Sequence, residues 1–300
     1  MDSKMSNLTW RYLDSGFLSG CENMAIDEAV FLSCQQGKSL PTIRLYGWTP
    51  PAVSLGYFQK AENAINFEAC KILGIDVVKR LSGGRAVLHD KELTYSLICP
   101  EGTPPFGKTI LETYKTISVC LISALKNINL DVKWVTSKEK HSSSRHLNDK
   151  TVSCFSSPSW YEITVEGKKI CGSAQKRGSS VWMQHGAILL EHDVAMLAEV
   201  LKSGKSKQEF MDEIFSSTTS INNHLVKKID FYELKALVLK GFEANLGIIL
   251  ERGNLTSHEY TLKNKLLEEK YQNKEWNLRT SSSNKGSSVI QTEVFADNPV

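Results

Sequence analysis

The stretch KRLSGGRAVLHD, residues 79–90, predicts a tight turn between two strands. The run before it, Ile75–Leu81, predicts a strand, and Ser-Gly-Gly at 82–84 predicts the turn. The segments Ala86–His89 and Leu93–Cys99 predict the strands that follow. Strands spaced this closely do not show the strict alternation of strands and helices that a doubly wound fold needs.

The same mixture of strands and helices extends over the rest of the chain. Further strands are predicted at Leu8–Leu13, Thr42–Trp48, Ala52–Tyr57, Asp131–Val135, Trp160–Val165, Lys168–Ala174 and Val181–Leu190. Helices are predicted after capping boxes at Ser19 and Thr109, near Asn66–Leu73, Val194–Leu201 and Phe210–Phe215, and over Phe231–Leu246 and Thr256–Lys270. We therefore predict an α+β fold with a mixed, largely antiparallel sheet flanked by helices.

We predict four segments from this pattern. Residues 1–36 are predicted to form an N-terminal strand and helix packed on the core, and residues 37–253 the main domain. Residues 254–279 are predicted to form a C-terminal helix, and the Ser-, Asn- and Lys-rich residues 280–300 a disordered tail. The polar stretch Ser137–Ser153 predicts a long exposed loop, a candidate for a mobile lid.

Composition excludes several classes of protein. The 300 residues carry a formal net charge of +3, too small an excess to indicate nucleic acid as the main partner. No apolar run reaches the roughly 18 residues of a membrane span, and the N-terminus lacks the apolar stretch of a signal peptide. The 7 cysteines include no CxxC pair, which favours free thiols in a reducing cytoplasm over disulfides or a metal site.

The glycine pair at 83–84 is the first candidate site. Two glycines after a strand let backbone N–H groups approach a ligand closely, and Lys79, Arg80 and Arg85 flank them with positive charge. The pair matches neither the P-loop nor the dinucleotide-binding pattern. A hairpin turn with solvated charges is an equally good interpretation of the spacing alone.

A cysteine and a lysine form the second candidate site. Cys154 ends the polar loop, and the hairpin that follows places Lys169, Cys171 and Ser173 on one strand face. A nearby ammonium stabilises a nucleophilic thiolate. From the residues alone, Cys154 and Cys171 remain competing nucleophiles, and a buried cysteine beside a surface lysine is the alternative.

Three motifs carry a resemblance to a known family. Residues 79–90 resemble the arginine-rich SGG…HD segment of the biotin/lipoate A/B protein ligase family, and GKKICGSA at 167–174 resembles its GKK…GSA hairpin. The match extends through NMAIDEA at 23–29, RLYGW at 44–48 and KY…EWN at 270–277. It covers roughly residues 8–278, and it implies the catalytic fold of that family.

Within the family, TVSCF…PSWYE at 151–162 is similar to the octanoyltransferases of the Gram-positive type. The resemblance implies that Cys154 forms an acyl thioester, that Lys169 lowers its pKa, and that Cys171 is a packing residue. It implies no metal or cofactor, because the donor thioester is already activated. The substrate-binding residues that it implies are Arg80, Ser82, Gly83, Gly84, Arg85, Ala86, His89, Gly172, Ser173 and Ala174.

The implied reaction has two protein partners. Octanoyl-acyl carrier protein is the donor, and a lipoyl domain, such as glycine cleavage H protein or the E2 subunit of a 2-oxoacid dehydrogenase, is the acceptor. Lys79 and Arg85 are candidates to steer the acidic carrier. His89 is a candidate base for the acceptor lysine, or a structural residue bonded to the glycine turn.

Three other functions are compatible with the fold. An ATP-dependent lipoate ligase needs nucleotide and no thiol, an amidotransferase takes its acyl group from an amide, and a non-catalytic binding module needs no thiolate. The ligases usually carry a third glycine where this chain has Arg85, and the amidotransferases usually have Pro-Gly after the cysteine. Both departures favour the octanoyltransferase.

Overall fold

The computed structural model describes residues 8–134 and 162–278, which form two β-sheets and the helices that cover them. The strands are β1 (Leu8–Leu18), β2 (Thr42–Trp48), β3 (Ala52–Leu55), β4 (Asp76–Lys79), β5 (Val87–His89), β6 (Glu92–Pro100), β7 (Val132–Trp134), β8 (Ile163–Val165), β9 (Lys168–Arg177), β10 (Val181–Leu189) and β11 (Ile248–Gly253). The α-helices are α1 (Gly20–Gln35), α2 (Ala61–Ala64), α3 (Phe67–Ile72), α4 (Ile110–Lys126), α5 (Val194–Val200), α6 (Lys207–Ser217), α7 (Phe231–Leu246), α8 (Ser257–Leu266) and α9 (Lys274–Asn277). Among these residues, no helix is both long and apolar enough to cross a bilayer.

The main sheet has eight strands in the order β11-β1-β2-β6-β10-β9-β8-β7. Strand β1 is parallel to both of its neighbours, and the remaining pairs are antiparallel. The small sheet has the order β4-β3-β5, with β3 parallel to β4 and antiparallel to β5. The predicted mixed, largely antiparallel α+β fold is confirmed.

Each face of the main sheet is buried, because successive side chains of a strand point to opposite sides. On β6, Leu93, Tyr95 and Leu97 join the core formed with α4 and α7. Ile98 faces the other way, toward α1. The small sheet, α2, α3, α5 and α6 enclose a separate core. The two sheets meet where β2 and β6 lie near β3 and β5, and this is where the candidate site forms.

Local signals place the starts of the long helices. The capping boxes at Ser19 and Thr109 are present. Each of these side chains accepts from the backbone N–H at N3, and the glutamate side chain at N3 accepts from the backbone N–H of the cap residue. The predicted span of α7 matches the observed one, and its cap is the box at Asp230. Glu166 and Gly167 have φ of 51° and 77°, the left-handed pair that a two-residue hairpin turn requires.

The structure differs from the predicted elements at several places along the chain. Strand β1 continues past Leu13 to Leu18, because a bulge between Asp14 and Gly16 preserves its pairing with β2. Strand β11 was not predicted, since its charged residues conceal a strand that pairs with β1 at the edge of the described sheet. The predicted C-terminal helix ends at Leu266 and gives way to a π-helical turn over Leu267–Tyr271.

A buried ion pair attaches α8 to the main sheet. The guanidinium of Arg11 donates to both carboxylate oxygens of Glu259, at 2.5 and 2.6 Å. Ser39 donates to the same carboxylate at 2.5 Å, and the side chain of Glu259 is fully buried. Burial by itself raises the pKa of Glu259, but the hydrogen bonds from Arg11 and Ser39 outweigh it and hold that pKa below its usual value.

We expect Glu259→Gln to lower the free energy of unfolding by about 3 kcal/mol, because it leaves the Arg11 charge buried without a counter-ion. Chemical denaturation at neutral pH measures the loss, with Glu268→Gln on the exposed side of the π-helical turn as the control. The depressed pKa stabilises the fold above a pH of about 4.3, and this contribution disappears as the pH falls toward the folded-state pKa. The free energy of unfolding of the variant should therefore fall less steeply than that of the wild type as the pH is lowered. The same dependence on pH in both proteins would contradict the assignment.

Candidate active site

A cavity lies between the two sheets, with about 450 Å³ of space between protein atoms, part of it open to solvent. Its apolar wall consists of Met24, Tyr46, Trp48, Val87 and Ala187. Its polar groups come from Ser54, Arg80, Thr94, His89 and His185. Gly172, Ser173 and Ala174 of β9 and Gly186 of β10 complete the lining. Of the residues predicted to bind substrate, the cavity thus brings together Arg80, His89, Gly172, Ser173 and Ala174.

Arg80 holds the loop at 82–86 in place. Its Nε donates to the Ser82 hydroxyl at 3.2 Å, and its Nη1 donates to the carbonyl and hydroxyl of Ser54 at 2.8 and 3.0 Å. Its Nη2 donates to the carbonyl oxygens of Gly83 and Arg85, each at 2.8 Å. The guanidinium is buried, so these acceptors replace the water that it loses on folding.

The glycine turn packs against the end of β3. A Cβ on Gly56 would lie 2.0 Å from the carbonyl oxygen of Gly84, so only glycine allows this backbone contact. Gly84 has φ of 94°, which side chains disfavour. Gly84 itself is exposed, and Ala86 is buried in the core of the small sheet. Ser82, Gly83, Gly84, Arg85 and Ala86 therefore shape the wall around Arg80 without themselves facing the cavity.

His89 is bonded to side chains, and the structure does not place it on the glycine turn. Its Nε2 lies 2.7 Å from the Ser54 hydroxyl, and its Nδ1 lies 2.7 Å from Oε1 of Glu92. The imidazole stacks on Trp48 at 4.1 Å between centroids and 13° between planes. Because Ser54 accepts from Arg80, its own proton points to Nε2 of His89 and favours the tautomer protonated at Nδ1.

The sequence analysis did not identify His185 as a site residue. Like His89, it contacts a serine hydroxyl that accepts a hydrogen bond from Arg80. Its Nε2 lies 2.5 Å from the Ser82 hydroxyl, which accepts from Arg80 on its other side. Its Nδ1 lies 3.7 Å from Oδ2 of Asp27. Burial, with Arg80 nearby, lowers the pKa of His185 despite Asp27, so the imidazole is neutral at pH 7.

Asp27 connects this histidine to the core of the site. Its carboxylate accepts from Arg44 at 2.7 Å and from the Tyr46 hydroxyl at 2.9 Å. Burial raises its pKa, but the Arg44 charge and the nearby His185 imidazole hold the net value below the usual one. Asp27, Arg44 and Tyr46 lie in the NMAIDEA and RLYGW segments, and those motifs were the signal that a buried polar network was present.

Strand β9 lines the cavity where β10 approaches it most closely. A Cβ on Gly186 would lie 2.6 Å from Oγ of Ser173 and 2.7 Å from the carbonyl oxygen of Gly172, so β10 needs glycine here. The Ser173 hydroxyl lies 2.6 Å from that of Tyr95, and its carbonyl accepts from the Tyr114 hydroxyl at 3.2 Å. These bonds fix the β9 wall.

Lys169 lies on β9 shortly before this wall and pairs with Glu162. Its Nζ donates to Oε1 of Glu162 at 2.6 Å, and both side chains are more than nine-tenths buried. Cys171 packs in the main core, where burial raises its pKa to about 12 although Lys169 opposes the rise. Cys171 is therefore a thiol at neutral pH. Cys154, like the predicted loop at 137–153, lies outside the described residues.

The structure corrects the expectation that Lys79 steers a partner. Lys79 is 2% exposed, and its Nζ donates to the carbonyl oxygen of Gln59 at 3.0 Å. A buried ammonium cannot contact the surface of a carrier protein. Arg85 is half-buried and remains at the surface of the loop.

Two kinds of comparison bear on this site. The chain resembles octanoyltransferase LipM of Geobacillus kaustophilus, with 40% identity over 277 residues that cover 92% of this chain and 100% of that protein. It resembles octanoyltransferase LipM of Bacillus subtilis with 39% identity over 280 residues, covering 92% and 100%.

Solved structures of lipoate ligases share the fold. A lipoate-protein ligase A bound with ATP superimposes with a TM-score of 0.74 and 26% identity, over 90% of this chain and 99% of that one. A bipartite lipoate protein ligase from Thermoplasma acidophilum was solved in a study that includes its E2 lipoyl domain. It superimposes with a TM-score of 0.75 and 23% identity, over 90% of this chain and 96% of that one. The model of the lipoyl protein ligase A/B catalytic domain matches residues 19–243, which include every described residue that lines the cavity. The chain belongs to the lipoyl protein ligase A/B catalytic domain family.

Proposed function

We propose that this protein is an octanoyltransferase of lipoate biosynthesis. It takes an octanoyl group from octanoyl-acyl carrier protein and transfers it to a lysine of a lipoyl domain, such as that of glycine cleavage H protein or a 2-oxoacid dehydrogenase E2 subunit. The relatives of matching length are octanoyltransferases, which supports the assignment. The free thiols of the described cysteines suit a reducing compartment, and we propose that the reaction takes place in the cytoplasm.

The observation that carries the proposal is a cavity with an apolar wall that the buried guanidinium of Arg80 also lines. Trp48, Tyr46 and Met24 offer a wall that a saturated acyl chain can cover, because burying its methylene groups is favourable. Arg80 lines the same cavity, so a carboxylic thioester placed there lies near a buried positive charge. Lys169, which pairs with Glu162, lies three residues before the cavity-lining Gly172 on the same strand.

Two acyl transfers complete the reaction. The Cys154 thiolate attacks the thioester carbonyl, a new carbon–sulfur bond forms, and the carrier leaves as its thiolate. The neutral amine of the acceptor lysine then attacks the acyl-cysteine, the amide bond forms, and the Cys154 thiolate leaves. The amine gives up one proton to a base in this second step. The charge of Lys169 stabilises the thiolate and the oxyanion of both steps.

Incubation of the protein with octanoyl-acyl carrier protein should add one octanoyl group to its intact mass, in a bond that hydroxylamine cleaves. Cys154→Ala should abolish this adduct, and the matched Cys171→Ala should retain it, because Cys171 is a buried thiol. A protein that modifies a lipoyl domain only with ATP and free octanoate, and that survives Cys154→Ala, would instead be a ligase.

Lys169→Ala should raise the pH midpoint of Cys154 alkylation by iodoacetamide by roughly one to three units, because an adjacent ammonium lowers a thiol pKa by that amount. Lys168→Ala is the matched control, since the Lys168 Nζ lies over the Phe215 ring at 4.4 Å, away from Glu162. The measurement is the pH profile of the alkylation rate. Superimposable profiles for the wild type and Lys169→Ala would remove Lys169 from this role.

Arg80→Lys should reduce kcat/KM for octanoyl transfer at least tenfold, because an ammonium has three donors and cannot replace the five hydrogen bonds that the planar guanidinium makes. Arg85→Lys, which changes the neighbouring cation of the same loop, is the control and should reduce it less than threefold. Steady-state kinetics with a lipoyl domain as acceptor measure both values. Equal losses in the two variants would argue against a special role for Arg80.

A further inference from the structure

The turn after β3 presents an aromatic side chain to solvent. Phe58 is 87% exposed and Tyr57 36% exposed, and their rings meet edge to face at 5.0 Å between centroids. Tyr57 also contacts Trp276 at 5.9 Å. The described residues therefore leave the Phe58 ring largely uncovered.

Hydrogen bonds hold this turn in a fixed shape. The buried Lys79 donates to the carbonyl oxygen of Gln59 at 3.0 Å, and the Gln59 side chain accepts from the Gly56 backbone at 3.0 Å. The Tyr57 backbone N–H donates to the carbonyl oxygen of Ser82 at 2.9 Å. Burying the Lys79 ammonium costs desolvation energy, and its hydrogen bond to the turn offsets part of this cost. The turn is therefore tied to the core through a buried charge. The exposed ring is preorganised, which lowers the entropy lost on binding a partner.

Three cationic residues belong to this turn or to segments that contact it. Lys60 is exposed two residues on, and the Lys176 Nζ lies 5.9 Å from the centroid of the Tyr57 ring. Arg85 follows Gly84, whose carbonyl packs against Gly56 at the start of the turn. We name Tyr57, Phe58, Lys60, Lys176 and Arg85 the Phe58 patch. Glu62 is the acidic residue nearest in sequence, and its backbone carbonyl accepts from Lys202, a further cation.

We propose that the Phe58 patch docks the acyl carrier protein that donates the octanoyl group, an inference that rests on the proposed function. Acyl carrier proteins are acidic, so the charges are complementary, and an aromatic ring within a polar rim is the usual anchor of such an interface. The patch contacts the cavity wall through the bond from Tyr57 to Ser82. The donor is the partner whose acyl chain enters that cavity.

Kinetics with Phe58→Ser test the inference. KM for octanoyl-acyl carrier protein should rise about tenfold with kcat unchanged, and KM for the lipoyl-domain acceptor should stay the same. Tyr232→Ser is the matched control, because Tyr232 is 62% exposed and the Lys235 Nζ lies 4.8 Å from its ring centroid. Lys176→Glu should raise the same KM and weaken its dependence on salt concentration.

The Kd of fluorescently labelled carrier protein, measured by anisotropy, should rise in parallel with KM. An unchanged KM and Kd in Phe58→Ser would overturn the docking site, and a rise in the acceptor KM alone would overturn the choice of partner. A wild-type protein that neither gains an octanoyl group nor transfers one would overturn the proposed function itself. That result concerns the wild type, so it is distinguishable from a failure of the docking site, which is measured by comparing variants with an active wild type.

Discussion

The buried guanidinium of Arg80 is the constraint on which the candidate site depends. An arginine cannot lose its charge in a protein, so burial requires an acceptor for its donors. Carbonyl oxygens of the glycine loop and the hydroxyls of Ser54 and Ser82 supply them. The same hydroxyls reach His89 and His185, so one cation sets the loop conformation and the orientation of both imidazoles. A change at Arg80 therefore reaches both sides of the cavity.

The buried cations near the site have different partners, and this separates their roles. Arg80 is surrounded by neutral oxygens that hold backbone in place. Lys79 holds the turn that carries Phe58. Lys169 faces the carboxylate of Glu162, and an ammonium can move a proton or shift toward a developing negative charge where a guanidinium cannot. Arg80 thus shapes the cavity wall and Lys79 the turn beside it, and our proposal assigns the chemistry to Lys169.

The sequence predicted the fold class because its signals are local. A capping box needs only two side chains three residues apart, and Ser19 and Thr109 begin their helices where the pattern indicated. The elements that escaped prediction depend on distant partners. Strand β11 is a strand because β1 lies beside it, and β1 continues past Leu13 because it keeps its pairing with β2 across the bulge between Asp14 and Gly16. No window of residues contains both members of such a pair.

The same division holds for the site. By itself the sequence determined the α+β class, the arginine and glycine loop, the Lys169 hairpin and the family, because each is written in contiguous residues. The tertiary structure alone decided that His185 meets Ser82, that Lys79 is buried, and that Glu162 pairs with Lys169 across a hairpin. These contacts join strands that pair only in the folded sheets. Whether a side chain is buried, and which group it contacts, depends on how the strands pack together. The order of residues determines this only through the complete fold.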